Sequence, residues 1–148
     1  MSEVVSQIIK GVKQIQDLAN APKELTAMIE KFGVPGEKVL HTAFSRYWNT
    51  RKLLDKPNGI LLVTTQRFIF VSKMPMIPMM KNGTNELVFS LRSIELVANV
   101  KFRRIRAVEI TIDKTTYMFV IKHLYKMAKP EWVDDVIKVI NKAKAGLT

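Results

Sequence analysis

The stretch from Gly59 to Lys73, GILLVTTQRFIFVSK, decides how this chain is read. Two runs rich in Ile, Leu, Val and Phe flank a short Thr-Thr-Gln-Arg junction. β-branched and aromatic residues suit a pleated, half-buried surface, and two such runs joined by so short a link predict a tight β-hairpin rather than one helix. The segments on either side are then read as further strands joining that hairpin.

Moving towards the N-terminus, Glu37 to Asn49, EKVLHTAFSRYWN, places Leu40, Phe44 and Trp48 at four-residue steps. That spacing suits a helix or the inward positions of a long strand. The presence of Val39, Thr42 and Tyr47, and of a pairing partner downstream, favours a strand. Between it and the hairpin, Asn49 to Asn58 supplies Arg51, Lys52 and Lys56 before a Pro-Asn-Gly turn, a basic loop.

Beyond the hairpin lies Met74 to Asn85, MPMIPMMKNGTN. Pro75 and Pro78 forbid a continuous ladder or helix there, so this is loop. It holds Met74, Met76, Met79 and Met80, half of the chain's eight methionines. Either this apolar loop is a contact surface, or its methionines fold back onto the core as gap fillers. Strand pattern then resumes. Glu86 to Leu91 is short, and Ser93 begins a turn. Ile94, Leu96, Ala98, Val100 and Phe102 alternate with polar positions as one buried face, followed by Val108, Ile110 and Ile112. Asp113-Lys114 turns the chain into Thr115 to Lys122, with Tyr117, Phe119 and Ile121. Seven strands result.

Both ends read as helix. Val5, Ile8, Val12, Ile15 and Ala19 make an apolar stripe over residues 2–19, with Lys10, Lys13, Gln14 and Asp17 on the other face. After Asn20-Ala21-Pro22 a second helix begins, with Leu25, Met28, Ile29 and Phe32 expected on its buried side and Gly33 as its stop. The first stripe packs on its own domain, joins a dimer or lies on a membrane surface; its polar face is not strongly basic, which disfavours the last. At the other end Pro130 opens a final helix. Its acids Glu131, Asp134 and Asp135 lie near the positive end, Lys138, Lys142 and Lys144 lie towards the negative end, and Gly146 closes it. Val133, Val136, Ile137 and Ile140 form a face that a single helix cannot bury alone, so it must cap the sheet.

Length and composition fit one folded domain: 148 residues, 47% hydrophobic and 25% charged. The absence of cysteine removes disulfides, thiolate metal sites and cysteine nucleophiles. The N-terminus fits neither a signal peptide nor a membrane span, which predicts a cytoplasmic protein; on that view the Asn82-Gly83-Thr84 acceptor pattern is chance. The net charge of +11 is unevenly spread. Basic and acidic residues cancel within 1–36 and within 130–148, so the whole excess falls on the strand region 37–129. A field localised in this way favours anionic partners.

Taken together, the strands, the Gly59-apolar-Thr64-x-x-Arg67-apolar-aromatic hairpin and the last helix resemble the PH-like superfold, in particular bacterial PH domains of the YokE-like type and GRAM-type domains. The residues carrying the likeness are Pro22-Lys23-Glu24-Leu25, Gly36-Glu37-Lys38-Val39-Leu40, Gly59 to Thr64 with Arg67-Phe68-Ile69-Phe70, and the Ala107 to Ile121 hairpin. It spans about residues 22–144. The resemblance implies an α+β protein. A helical extension over 1–35, of one or two helices, would precede a seven-stranded antiparallel barrel over 36–148, capped by its C-terminal helix. The second strand lacks the basic Lys-x-Arg entry of inositide-binding PH domains. The Met-Pro loop is longer and more apolar than the family's turn.

In such a barrel three inter-strand loops gather at one open end. The resemblance then implies that Arg51, Lys52, Lys56, Lys73, Lys81 and Lys114 ring the apolar Met74, Met76, Ile77, Met79 and Met80. Cations for anionic headgroups around apolar side chains for the acyl boundary are what a lipid-docking surface needs. A rival anion patch, Lys101, Arg103, Arg104 and Arg106, sits at a hairpin end facing away. There phosphates of a nucleic acid could bind, or the residues form only a solvated basic turn. A protein–protein or oligomerisation adaptor is the alternative function, through the N-terminal helices or a groove between the fifth strand and the last helix. Catalysis has least support. His41 and His123 are the only histidines, and no phosphate loop, nucleophile elbow or metal-ligand spacing occurs. No cofactor is expected.

Overall fold

The computed structural model describes residues 21–48, 58–73, 84–102, 105–122 and 129–147. A helix α1 (Ala21–Phe32) precedes strands β1 (Val39–Trp48), β2 (Asn58–Thr64), β3 (Arg67–Lys73) and β4 (Thr84–Ser90). A one-turn 3-10 helix (Leu91–Ser93) leads into β5 (Leu96–Phe102), β6 (Ile105–Ile112) and β7 (Thr115–Lys122), and α2 (Pro130–Ala145) closes the chain. All strand pairs are antiparallel, in the order β4-β3-β2-β1-β7-β6-β5. The architecture expected from sequence is therefore present.

The sheet curls on itself. β4 and β7 are four places apart in strand order, which in a flat sheet is about 19 Å. Yet the rings of Phe89 and Tyr117 lie 4.8 Å apart, centroid to centroid, and Phe68 and Phe119 are 5.0 Å apart. The inner face thus closes around one core of Leu61, Val63, Phe68, Phe70, Val108, Ile110, Phe119 and Ile121. α2 plugs it with Val133, Val136, Ile140 and Ala143. Pro130 opens that helix, Glu131 stands in its first turn and Lys142 and Lys144 in its last, as the helix dipole favours. Lys144 Nζ also donates to the Ile94 carbonyl, and Arg92 to that of Leu147, fastening the helix end to the 3-10 turn.

The opposite face of the same strands is buried too. Leu25 and Ile29 of α1 sit on Ile60, Leu62, Ile69 and Val71, with Met28, Val39, Phe44 and Val88 at the margin. This second core explains why β2 and β3 read as continuous apolar runs instead of alternating ones. Full burial of Leu25 and Ile29 is worth about 1.5–3 kcal/mol each. A 12-residue helix needs such packing to persist.

Three expectations about side-chain direction are corrected. Phe32 is 49% exposed, not buried. Seven residues after Leu25 it shares that residue's side of the helix to within about 20°, but as the last residue of α1 it stands outside the apolar cluster around Leu25 and Ile29. Leu40 is 48% exposed, because the β1–β2 register shifts between Val39 and His41 and the extra residue leaves the alternation. Beyond that bulge Phe44 faces α1, while Ala43 and Tyr47 face the inner core. In β5 the phase is one residue off: Leu96 is 57% exposed and Val97 points inward. The amide of Ile94 closes the 3-10 turn onto the Leu91 carbonyl, and buried Ile94 then lies three residues, not two, before Val97.

Candidate functional site

The registers fix which connections share an end of the barrel. Arg46 pairs Asn58, Gly59 pairs Ser72, Lys73 pairs Thr84, and Trp48 pairs Met118. The chain therefore leaves and re-enters the sheet at the same edge between β1 and β2, between β3 and β4, and between β6 and β7. The last of these is a two-residue turn in which Asp113 (φ 49°) and Lys114 (φ 64°) are both left-handed, the geometry that matches the twist of a hairpin. Its Asp113 amide donates to Glu95 Oε1 at 3.0 Å, so a carboxylate stands beside exposed Lys114.

Of the lipid-site candidates, Lys114 is at this end as expected, and Lys73 ends β3 there with its backbone paired to Thr84. Arg51, Lys52, Lys56, Met74, Met76, Ile77, Met79, Met80 and Lys81 lie outside the described residues. On the rival patch, Lys101 and Arg106 are exposed cross-strand partners of β5 and β6, an unfavourable like-charge pairing by itself. Arg103 and Arg104 lie outside the described residues. β6 alone separates that patch from the Lys114 turn by about 24 Å, too far for the two to form one site.

The end opposite the three connections holds a buried polar network that sequence reasoning did not assign. Arg67 Nε and Nη2 donate to Glu37 Oε2 and Oε1 at 2.9 and 2.7 Å, a two-pronged ion pair. Thr64 Oγ1 donates to Glu37 Oε2 at 2.6 Å and accepts from the amides of Gln66 and Arg67. The Val34 amide completes the set on Glu37 Oε1. Burial pushes the Glu37 carboxyl up, but the hydrogen bonds from Arg67 and Thr64 and the guanidinium charge outweigh it, leaving the carboxyl below its ordinary range. A Cβ at Gly33 would collide with both the Ile29 carbonyl and Glu37 Oε1, so glycine is required where α1 stops. The network ties the α1–β1 connection to the β2–β3 turn. Its signal was in view as Gly36-Glu37 and Thr64-x-x-Arg67, the residues that carried the family resemblance.

At this same end Leu40, Thr65, Gln66, Val139, Lys142, Ala143, Gly146 and Leu147 line a cleft of about 460 Å³. His41 is half-buried on β1; burial pushes its imidazole below the ordinary value and Asp135 on α2 draws it part of the way back. Among the described residues no three His, Cys, Asp or Glu side chains converge as metal ligands, and no helix is long and apolar enough to cross a membrane.

No protein-family model matches the sequence, and no curated protein does. Solved structures do. The hSac2 domain of the human phosphoinositide phosphatase Sac2 superimposes with a TM-score of 0.58 at 10% identity, over 90% of this chain and 86% of that one. The Vps36 N-terminal PH domain gives 0.53 at 15% identity, over 74% and 83%. The N-terminal PH domain of human ARAP2 gives 0.50 at 11%, over 73% and 81%. The fold is PH-like. At these identities the likeness is one of fold, and the PH-like core has here an outer helix packed on β1 to β3.

Proposed function

We propose that this PH-like chain is a non-catalytic binding module of the YokE-like or GRAM-type kind, docking reversibly on anionic phospholipid surfaces through the end where Lys114 stands. The observation carrying the proposal is that three connections leave the sheet at one edge; their sequences supply Arg51, Lys52, Lys56, Lys81 and Lys114 and the Met-Pro segment, and Lys73 ends β3 at the same edge. Residues 36–148 would carry this role, with 1–35 as an extension, in the cytoplasm and on the inner membrane surface. At about 1 kcal/mol per basic residue near an anionic leaflet, four cations alone give roughly millimolar binding. Two apolar side chains entering the acyl boundary, at about 1–2 kcal/mol each, bring it to between about forty and about one micromolar.

Co-sedimentation of the full chain with phosphatidylserine-containing vesicles tests this. Pelleting is expected with those vesicles, not with pure phosphatidylcholine, and is expected to weaken with salt and in Lys52→Glu/Lys56→Glu. Equal pelleting with neutral vesicles, or none with either, rejects the proposal. A protein-interaction role is the second reading, favoured by Leu96 exposed on edge strand β5 and by PH-like folds in protein complexes, such as the DH/PH fragment of PDZRHOGEF with human RhoA (TM-score 0.55, 10% identity, 36% of that chain covered). DNA or RNA retarded at low salt, and released by Arg106→Glu, would instead favour the Lys101–Arg106 patch.

A further inference from the structure

The cleft between the last turns of α2 and the β2–β3 turn holds about 460 Å³, within the roughly 300–1,000 Å³ of small-molecule sites. The β2–β3 turn lies at the end of the barrel away from Lys114, so the cleft is separate from the surface that would meet lipid. Its walls are aliphatic: Leu40, Val139, Ala143 and Leu147, with no aromatic ring among the described residues that line it. Leu40 reaches it through the β1 bulge, which takes the side chain out of the strand's alternation and leaves it 48% exposed. Bulges recur beside binding sites because they re-aim a side chain in this way.

The polar side chains of the lining can all donate hydrogen bonds, and none of them is an acid: Thr65, Gln66 and Lys142. Lys142 is exposed and makes no ion pair among the described residues. Thr65 Oγ1 accepts from the Lys38 amide at 3.2 Å, which leaves its hydroxyl hydrogen to donate elsewhere. Two acids of the neighbouring elements are engaged outside the cleft. Glu37 is sealed in its ion pair with Arg67, and Asp135, one helical turn before Val139, acts on His41. The negative end of the α2 dipole opposes an anion, but the Lys142 and Lys144 carbonyls accept from the Gly146 and Leu147 amides, and Arg92 caps the Leu147 carbonyl. We propose that this cleft binds a medium-chain aliphatic carboxylate. Its hydrocarbon chain lies along the four aliphatic residues, which offer no ring to stack on, and its carboxylate meets the Lys142 ammonium in a charge-assisted hydrogen bond, with Thr65 and Gln66 as further donors.

Titration of the full chain with decanoate below its micelle concentration, followed by amide NMR, tests this. The amides of Thr65, Gln66, Gly146 and Leu147 are expected to shift together and saturably, while that of Lys114 stays in place. Decylammonium, with the same chain and the opposite charge, should bind about tenfold more weakly or worse, and Lys142→Gln should weaken decanoate by about tenfold, the worth of one hydrogen bond to a charged group. Leu40→Asp, which sets a carboxylate against the ligand's own, should weaken it by at least about tenfold. Both variants replace exposed residues, so the fold is kept. Lys52→Glu/Lys56→Glu, the variant that tests lipid docking, should leave decanoate affinity within about twofold, so that failure of docking and failure of this site are told apart. No saturable shift, shifts centred on Lys114, equal binding of decylammonium, or unchanged affinity in Lys142→Gln each overturns the proposal. So does a dimer of the free chain that Leu40→Asp dissociates, which would assign the cleft to a second copy.

Discussion

Replacing Arg67 by methionine is the most direct test of how the closed end of the barrel is held. The substitution keeps most of the side chain's apolar length but removes both prongs of the ion pair to Glu37. Arg67 and Glu37 are both buried, so water cannot replace the lost partner. What remains is a carboxylate with Thr64 Oγ1 and the Val34 amide as its only described donors. Breaking a buried pair from one side costs about 3–5 kcal/mol. That is a large share of the roughly 5–15 kcal/mol by which a domain is stable. With a urea slope of about 2 kcal/mol/M, the unfolding midpoint should fall by roughly 2 M. The double variant Glu37→Leu/Arg67→Met leaves no charge behind and should recover most of the loss, because apolar replacement of a whole buried pair is often near neutral. Arg67→Lys, which retains the charge without the fork, should fall between. The assay is urea unfolding of the full chain followed by circular dichroism. A loss below about 1 kcal/mol in Arg67→Met, or a double variant as unstable as the two single losses added, would refute the account. The pH dependence carries the same sign. Because the folded Glu37 carboxyl lies below its ordinary value of 4.5, its contribution is complete above pH 4.5. It is lost as pH falls through the lowered folded value. In Glu37→Gln that acid limb should be shallower.

Two further outcomes follow from the same geometry. The folded His41 imidazole lies below its ordinary 6.5, with burial as the main cause. The unfolded chain therefore takes up that proton first, and stability should decline as pH falls from about 6.5 towards the lowered value. NMR titration should place the His41 midpoint below 6.5 and lower still in Asp135→Asn; a midpoint above 6.5 contradicts this reasoning. Lys114 holds φ 64°, a region that costs a residue with a Cβ about 1–2 kcal/mol. Lys114→Gly should raise stability by about 0.5–1 kcal/mol after the entropy of a freer unfolded chain is deducted, while weakening vesicle binding. A destabilised variant would mean that the lysine side chain supports the turn.

Pattern alone carried the fold far because the hairpin Gly59–Lys73 and the last helix are strong local signals that agree with their tertiary setting. The Asp113-Lys114 turn was legible for the same reason. Side-chain direction was legible only where the period ran unbroken. A bulge at Val39–His41 and a 3-10 turn before β5 each shift the phase by one residue, and neither leaves a glycine or proline to announce it. Phe32 departs from the pattern because helical periodicity reports the direction of a side chain and not whether the neighbouring core reaches it. The Glu37–Thr64–Arg67 network joins residues about thirty positions apart, and a one-dimensional scan sees three unremarkable polar residues. As for the candidate site, Lys114 and the edge it occupies were anticipated through the resemblance. The acid beside it, Glu95, was not, since β5 enters next to the β6–β7 turn only in three dimensions.

The double-sided burial of β2 and β3 bears on how this protein may be shortened. Leu61 and Val63 look into the barrel while Ile60 and Leu62 look out towards α1, so the hairpin is a partition wall with an oily surface on each side. Excising everything before residue 36 would strip one side bare, offering Ile60, Leu62, Ile69 and Val71 to any neighbouring molecule. Such a fragment would clump even with its barrel intact, and trimming that begins after α1 should be read as an aggregation experiment.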